Sequence, residues 1–222
     1  PRPTYDLWEE QPKTTTYTVS VVYAALLAAA DLADTKQDQD SSVLWRSVAE
    51  DILRAAKVHL YNESTGMFRK GISINNQEII YDDTIDVSAV YGSFMYGLLL
   101  AIRSKESVNI DQMWALLQPV SGSLGIERYQ NDSYRRFSDD SPSNPWIIAS
   151  LWHAQYLYES NSHEQAKEIV RWVQSVATPT GMLAEQVDPY TNQPVSVTPL
   201  VWSHSEYMAT MLDSLSSAES SE

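Results

Sequence analysis

The 222-residue chain carries 29 acidic and 15 basic side chains, a formal net charge of −14. That balance disfavours nucleic acid as a partner, because binding it takes lysines and arginines that displace condensed counterions. A 43% hydrophobic content fits a globular chain with one substantial core, the absence of cysteine excludes a disulfide framework and a thiolate zinc site while leaving the compartment open, and no run of 18 apolar residues marks a membrane span.

The chain opens on Tyr5-Asp6-Leu7-Trp8-Glu9-Glu10. A carboxyl beside an indole is an environment that retains a proton for a leaving oxygen. Helical periodicity then dominates. Over 18–34, Val19, Val22, Tyr23, Leu26 and Ala30 share a stripe among alanines, which predicts an inner, closely packed helix. Ser42 can cap a second helix to Leu60 with Leu44, Val48, Ile52 and Ala55 inward. Asp83 and Asp86 mark the start of a third through Ile102, and a short fourth spans 110–117. Asn144-Pro145 reads as an N-cap and first helical position, Ser162 with Gln165 as a capping box, and Thr198-Pro199 as the start of a last helix. The final residues 217–222 lack periodicity and read as a disordered tail.

Three connections, 61–82, 118–143 and 178–198, are too long to be simple links and read as functional loops. They would gather Glu10, Arg128, Trp146 and Glu185 at one mouth. Arg128-Tyr129-Gln130-Asn131-Asp132 offers planar donors and acceptors suited to sugar hydroxyls, and Trp146 a face for stacking. Trp45, Trp114 and Trp172 fall at helical spacing and read as core. Glu9 and Glu185, placed across one pocket with a water between them, could serve as the acid and base of inverting glycosidic cleavage. The four histidines lack metal-ligand spacing, and neither a phosphate loop nor a Gly-x-Ser-x-Gly elbow is present.

Taken in order along nearly the whole chain, these strings resemble glycoside hydrolase family 15, the glucoamylases and their prokaryotic relatives. The opening string resembles the family's general-acid segment, with Glu9 as the acid and Glu10 as its sugar-contacting neighbour. Arg128, Tyr129 and Asp132, followed by Asn144-Pro145-Trp146, resemble a substrate-binding segment. Leu183-Ala184-Glu185-Gln186-Val187-Asp188 with Pro199-Leu200-Val201-Trp202-Ser203-His204 resembles the general-base segment, with Glu185 as the base.

The resemblance implies an all-α fold in which residues 1–216 form about seven helices, the C-terminal portion of an (α/α)6 toroid. The rest of the barrel would come from an N-terminal half or a second copy of the chain. It also implies exo-acting release of glucose from α-linked glucose oligomers or polymers, without metal or organic cofactor. Tyr5, Asp6, Trp8, Glu10, Arg128, Tyr129, Asp132 and Trp146 would form the substrate-binding set. Gln11-Pro12-Lys13-Thr14-Thr15 departs from the basic residue, glycine and histidine usual in prokaryotic members. This leaves open trehalose, isomaltose-type linkages or dextran as substrates, and a catalytically silent module that binds glycan or a partner protein.

Overall fold

The computed structural model describes residues 2–103 and 108–219. They form two compact units, 1–113 and 114–222. Residues 220–222 of the expected tail lie outside the described residues, and the last helix is assigned through Glu219.

The first unit begins with β1 (Thr4–Tyr5) and β2 (Pro12–Thr15), antiparallel with Tyr5 opposite Pro12. Helix α1 (Thr16–Thr35) follows, capped by Thr15, whose side chain accepts from the Thr18 amide. The helix is 20 residues long and an 18-residue window within it reaches a mean hydropathy of 1.5, within the range of a membrane-crossing helix by length and composition, although the sequence contains no continuous apolar run of that size. Here α1 packs on helix α2 (Gln39–His59). Val19 and Ala30 are buried as expected, but Val22, Tyr23 and Leu26 are only half-buried.

Helix α2 differs from expectation at its start and in its face. Asp38 is the N-cap, accepting from the Ser41 amide, and Ser42 lies buried inside the helix. The inward side is Ser42, Ala49 and Ala56, at seven-residue spacing, while Leu44 and Val48 are exposed. Small side chains let two helices approach closely, so burial follows size at the contact rather than hydropathy.

The connection 61–82 is a pair of hairpins. β3 (Tyr61–Asn62) pairs with β4 (Met67–Phe68), and β5 (Gly71–Asn75) with β6 (Glu78–Asp82). β5 also pairs with β2, giving a sheet in the order β1-β2-β5-β6. A Cβ on Gly71 would sit 2.6 Å from the Thr14 carbonyl oxygen, so this crossing requires glycine. The all-α expectation is corrected to a helical fold carrying small antiparallel sheets. Strands this short give no readable alternation. The box expected from Asp83 with Asp86 does not form: Asp86 is itself the N-cap of α3 (Val87–Met95), which starts after it, and Gly97, at φ +76°, separates α3 from α4 (Leu98–Arg103). Helix α5 (Ile110–Leu116) follows.

In the second unit, α6 (Ile147–Glu159) packs against α7 (His163–Ser175) and α8 (Val201–Glu219). Helix α6 begins two residues later than expected, with Trp146 as its N-cap. Ser162 is the N-cap of α7, but its side chain makes no capping bond. The connection 178–198 holds a further hairpin, β7 (Gln186–Val187) with β8 (Pro194–Val195). Trp114 and Trp152 are buried in this unit, whereas Trp172 and, in the first unit, Trp45 are only half-buried.

Candidate active site

In the first unit, the six residues Asp6 to Gln11 form a loop between β1 and β2. Asp6 ties it across its base. Its amide donates to the Gln11 carbonyl at 2.9 Å, its carbonyl accepts from Glu9 at 3.1 Å, and its Oδ1 accepts from the amides of Glu10 at 2.9 Å and Gln11 at 3.4 Å. Glu9 sits at the loop's crown with φ +58°, a conformation that non-glycine residues seldom adopt, and its side chain is exposed, as is that of Glu10. The Trp8 indole N–H is directed at Asp86, 3.1 Å from Oδ2 and 3.3 Å from Oδ1, so its polar edge serves the α3 cap rather than Glu9. Asp6 and Trp8 are buried beneath the crown, and Tyr5 stands exposed beside it.

In the second unit, Glu185 precedes the β7–β8 hairpin and is half-buried. Its amide donates to the Val197 carbonyl at 2.9 Å, and its carbonyl accepts from Ile147 at 3.2 Å, which fixes the backbone on both sides. The Ser196 hydroxyl donates to Oε2 at 2.5 Å, and the Gln186 amide approaches the same oxygen at 3.4 Å. Among the described residues no hydrogen bond reaches the other oxygen, Oε1. Ser196 takes φ +65°, a second left-handed residue beside a candidate carboxylate. Gln186 is fully buried and accepts from the Asn144 amide at 2.8 Å.

Arg128 and Asp132 form a buried two-point pair, Nε to Oδ2 at 2.7 Å and Nη2 to Oδ1 at 2.9 Å. The guanidinium lies 4.5 Å from the Trp146 ring centroid, 5.0 Å from Tyr134 and 5.1 Å from Tyr129. Trp146, 4% exposed, therefore supports Arg128 from below rather than offering an open face. Arg135, exposed, is held above its usual value by its hydrogen bond to Tyr134, with a smaller contribution from the Glu185 carboxylate.

Of the substrate-binding set, Tyr5 and Glu10 are exposed and Tyr129 half-buried, whereas Asp6, Trp8, Arg128, Asp132 and Trp146 are buried supports. The second unit thus brings Arg128, Tyr129, Asp132, Trp146 and Glu185 onto linked loops. The motif strings did not reveal Asp86, Ser196, Asn144 or Arg135. Ser196 and Asp86 have partners 11 and 78 positions away, and the capping signals marked Asp86 and Asn144 only as helix starts.

The chain matches the glycosyl hydrolases family 15 over residues 1–167 and 159–212, and it belongs to that family. It is 25% identical, over 93% of its own length and 33% of the relative's, to an uncharacterized glycosyl hydrolase of Methanocaldococcus jannaschii. Among solved structures it resembles a bacterial glucoamylase complexed with acarbose at a TM-score of 0.76, with 19% identity over 95% of this chain and 35% of that one. It also resembles the glucoamylase of Saccharomycopsis fibuligera at 0.74, with 16% identity over 97% and 58%, and a glycosidase in complex with glucose at 0.72, with 20% identity over 96% and 55%. The fold thus resembles that of the glucoamylases, and the chain spans about a third to somewhat over half the length of these relatives.

Proposed function

We propose that this chain supplies both catalytic carboxylates of an inverting glycoside hydrolase that releases glucose from the non-reducing ends of α-glucans. The observation that carries the reading is Glu185 in a family 15 chain: one oxygen is tied to Ser196 and the other is left to accept from water. Glu9, exposed at the crown of a tied loop, gives its proton to the glycosidic oxygen as the bond from C1 breaks. Water attacks C1 from the opposite face while Glu185 takes its proton, and an α-linked substrate yields the β-anomer. Carboxyl groups about 6.5 to 9.5 Å apart accommodate that water. Relatives bound to acarbose and to glucose support a sugar ligand.

Proton NMR of early product tests the stereochemistry, and initial α-glucose would sink inversion. Glu9→Gln and Glu185→Gln should each lower turnover by about 10²-fold or more, and unaltered turnover in either removes its role. Hydrolysis rates on maltooligosaccharides, trehalose, isomaltose and dextran fix the linkage. Glycan binding without hydrolysis of any of them would favour the silent binding module.

A further inference from the structure

Beneath the loop that carries Glu9 lies a buried cation. Lys70 lies in the segment between β4 and β5 and is 5% exposed. Its Nζ is 3.4 Å from Asp6 Oδ2 and 3.1 Å from Asp86 Oδ2. Asp6 holds the Glu10 and Gln11 amides, and Asp86 accepts the Trp8 indole N–H while taking both the Ser88 amide at 2.7 Å and its hydroxyl at 2.6 Å. Burial acts to lower the Lys70 pKa, but the carboxylates of Asp86, Asp6 and Glu10 outweigh it and hold the ammonium above its ordinary value.

The base under Lys70 is stiff. Its carbonyl accepts from the Thr16 amide at 3.0 Å, the Arg69 carbonyl accepts from the Thr16 hydroxyl at 2.6 Å, and Gly71 leaves no room against Thr14. Two buried carboxylates without this cation would repel one another and each lose a charged partner. The loop bearing Glu9 hangs from both of them.

We propose that Lys70 is a positioning residue, the cation through which the fold fixes the aim of Glu9 by holding Asp6 and, through Asp86, Trp8. The proposal rests on the reading of Glu9 as the acid. Lys70, buried and directed at Asp6 and Asp86, would act through them rather than on substrate. Its removal should therefore disable proton donation more than sugar binding.

The test uses two independent readouts. By NMR hydrogen exchange, with the Trp8 indole signal assigned through Trp8→Phe, the indole N–H should exchange about tenfold faster or more in Lys70→Met than in the wild-type protein. In kinetics, kcat on maltotriose should fall by roughly 30-fold with KM within about threefold, while p-nitrophenyl α-glucoside, whose leaving group needs little protonation, should lose less than about threefold. Lys70→Arg should recover part of the maltotriose loss. If Lys70→Met does not fold, Asp6→Asn, which keeps an oxygen for the Glu10 amide but drops the charge facing Lys70, carries the same comparison. Unchanged indole exchange, or equal losses on both substrates, overturns the proposal. Glu9→Gln run alongside separates the two ideas: wild-type turnover there overturns the role of Glu9, whereas the anchoring by Lys70 stands or falls on the exchange rate.

Discussion

Glu9 and Ser196 share a property that hydropathy cannot encode: both hold left-handed backbone beside a candidate catalytic carboxylate. Such conformations cost on the order of 1 kcal/mol or more outside glycine, and persist where surrounding bonds over-determine them. Ser196→Gly should therefore separate strain from chemistry. The variant removes the hydroxyl that orients Glu185 and relieves the backbone, so kcat should fall by roughly tenfold with thermal stability unchanged or higher. A melting curve and a single-substrate assay decide it.

Glu127 offers a second residue-level test. Its carboxyl is buried between the Ser143 hydroxyl and the amides of Asn131 and Asp132, and burial, with help from the Asp132 charge, raises its pKa to about 7. It lines a polar cavity of about 240 Å³ with Arg136, Asn131 and Ser143. Between the ordinary carboxyl value of 4.5 and about 7, the folded chain holds a proton there that the unfolded chain has released. Stability linked to this group is thus full below about pH 4.5 and falls as pH rises to about 7, by an amount on the order of 2 kcal/mol. Glu127→Gln should flatten that slope in urea titrations at pH 5 and pH 7.5. At this scale the sequence marked two candidate carboxylates and the Arg128 to Asp132 string, whose ends pair in the fold, because each lies in a contiguous run. It concealed Lys70 and the contacts of Asp86 to Trp8 and Lys70, whose meaning comes from partners that the fold supplies from distant segments.

Among elements, the long helices were legible from periodicity, and the capping signal before α3 was legible in kind, though the cap falls at Asp86 rather than Asp83. The inward face of α2 was not, since Ser42, Ala49 and Ala56 bury where Leu44 and Val48 do not. Ala49→Leu should cost about 1 to 3 kcal/mol by overpacking a fully buried site, whereas Leu44→Ser, at an exposed one, should stay within about 0.5 kcal/mol. Equal effects in chemical denaturation would restore the hydropathy-based face. The hairpins escaped notice because their strands run from two to five residues and carry no sustained alternation.

For the molecule as a whole, a net charge of −14 means mutual repulsion among carboxylates, which salt screens. The melting temperature should therefore rise between about 0.02 and 0.2 M sodium chloride, where the Debye length shrinks from roughly 20 to 7 Å. The same charge also governs what the β1-β2-β5-β6 sheet does at its margin. β6 forms its outermost strand, with Ile79, Ile80 and Tyr81 exposed along it. An open ladder of this kind invites another copy to add a strand; Glu78 stands exposed at one end, while Asp82 and Asp83 at the other are paired with Lys13 and Arg69, so repulsion rests on the charge of the whole surface. Near the isoelectric point of about 4.6 expected from the sequence, that overall repulsion vanishes as the molecule loses its net charge. Turbidity should peak there and diminish in Ile80→Lys if the net negative charge is what keeps this open strand from pairing with a second copy.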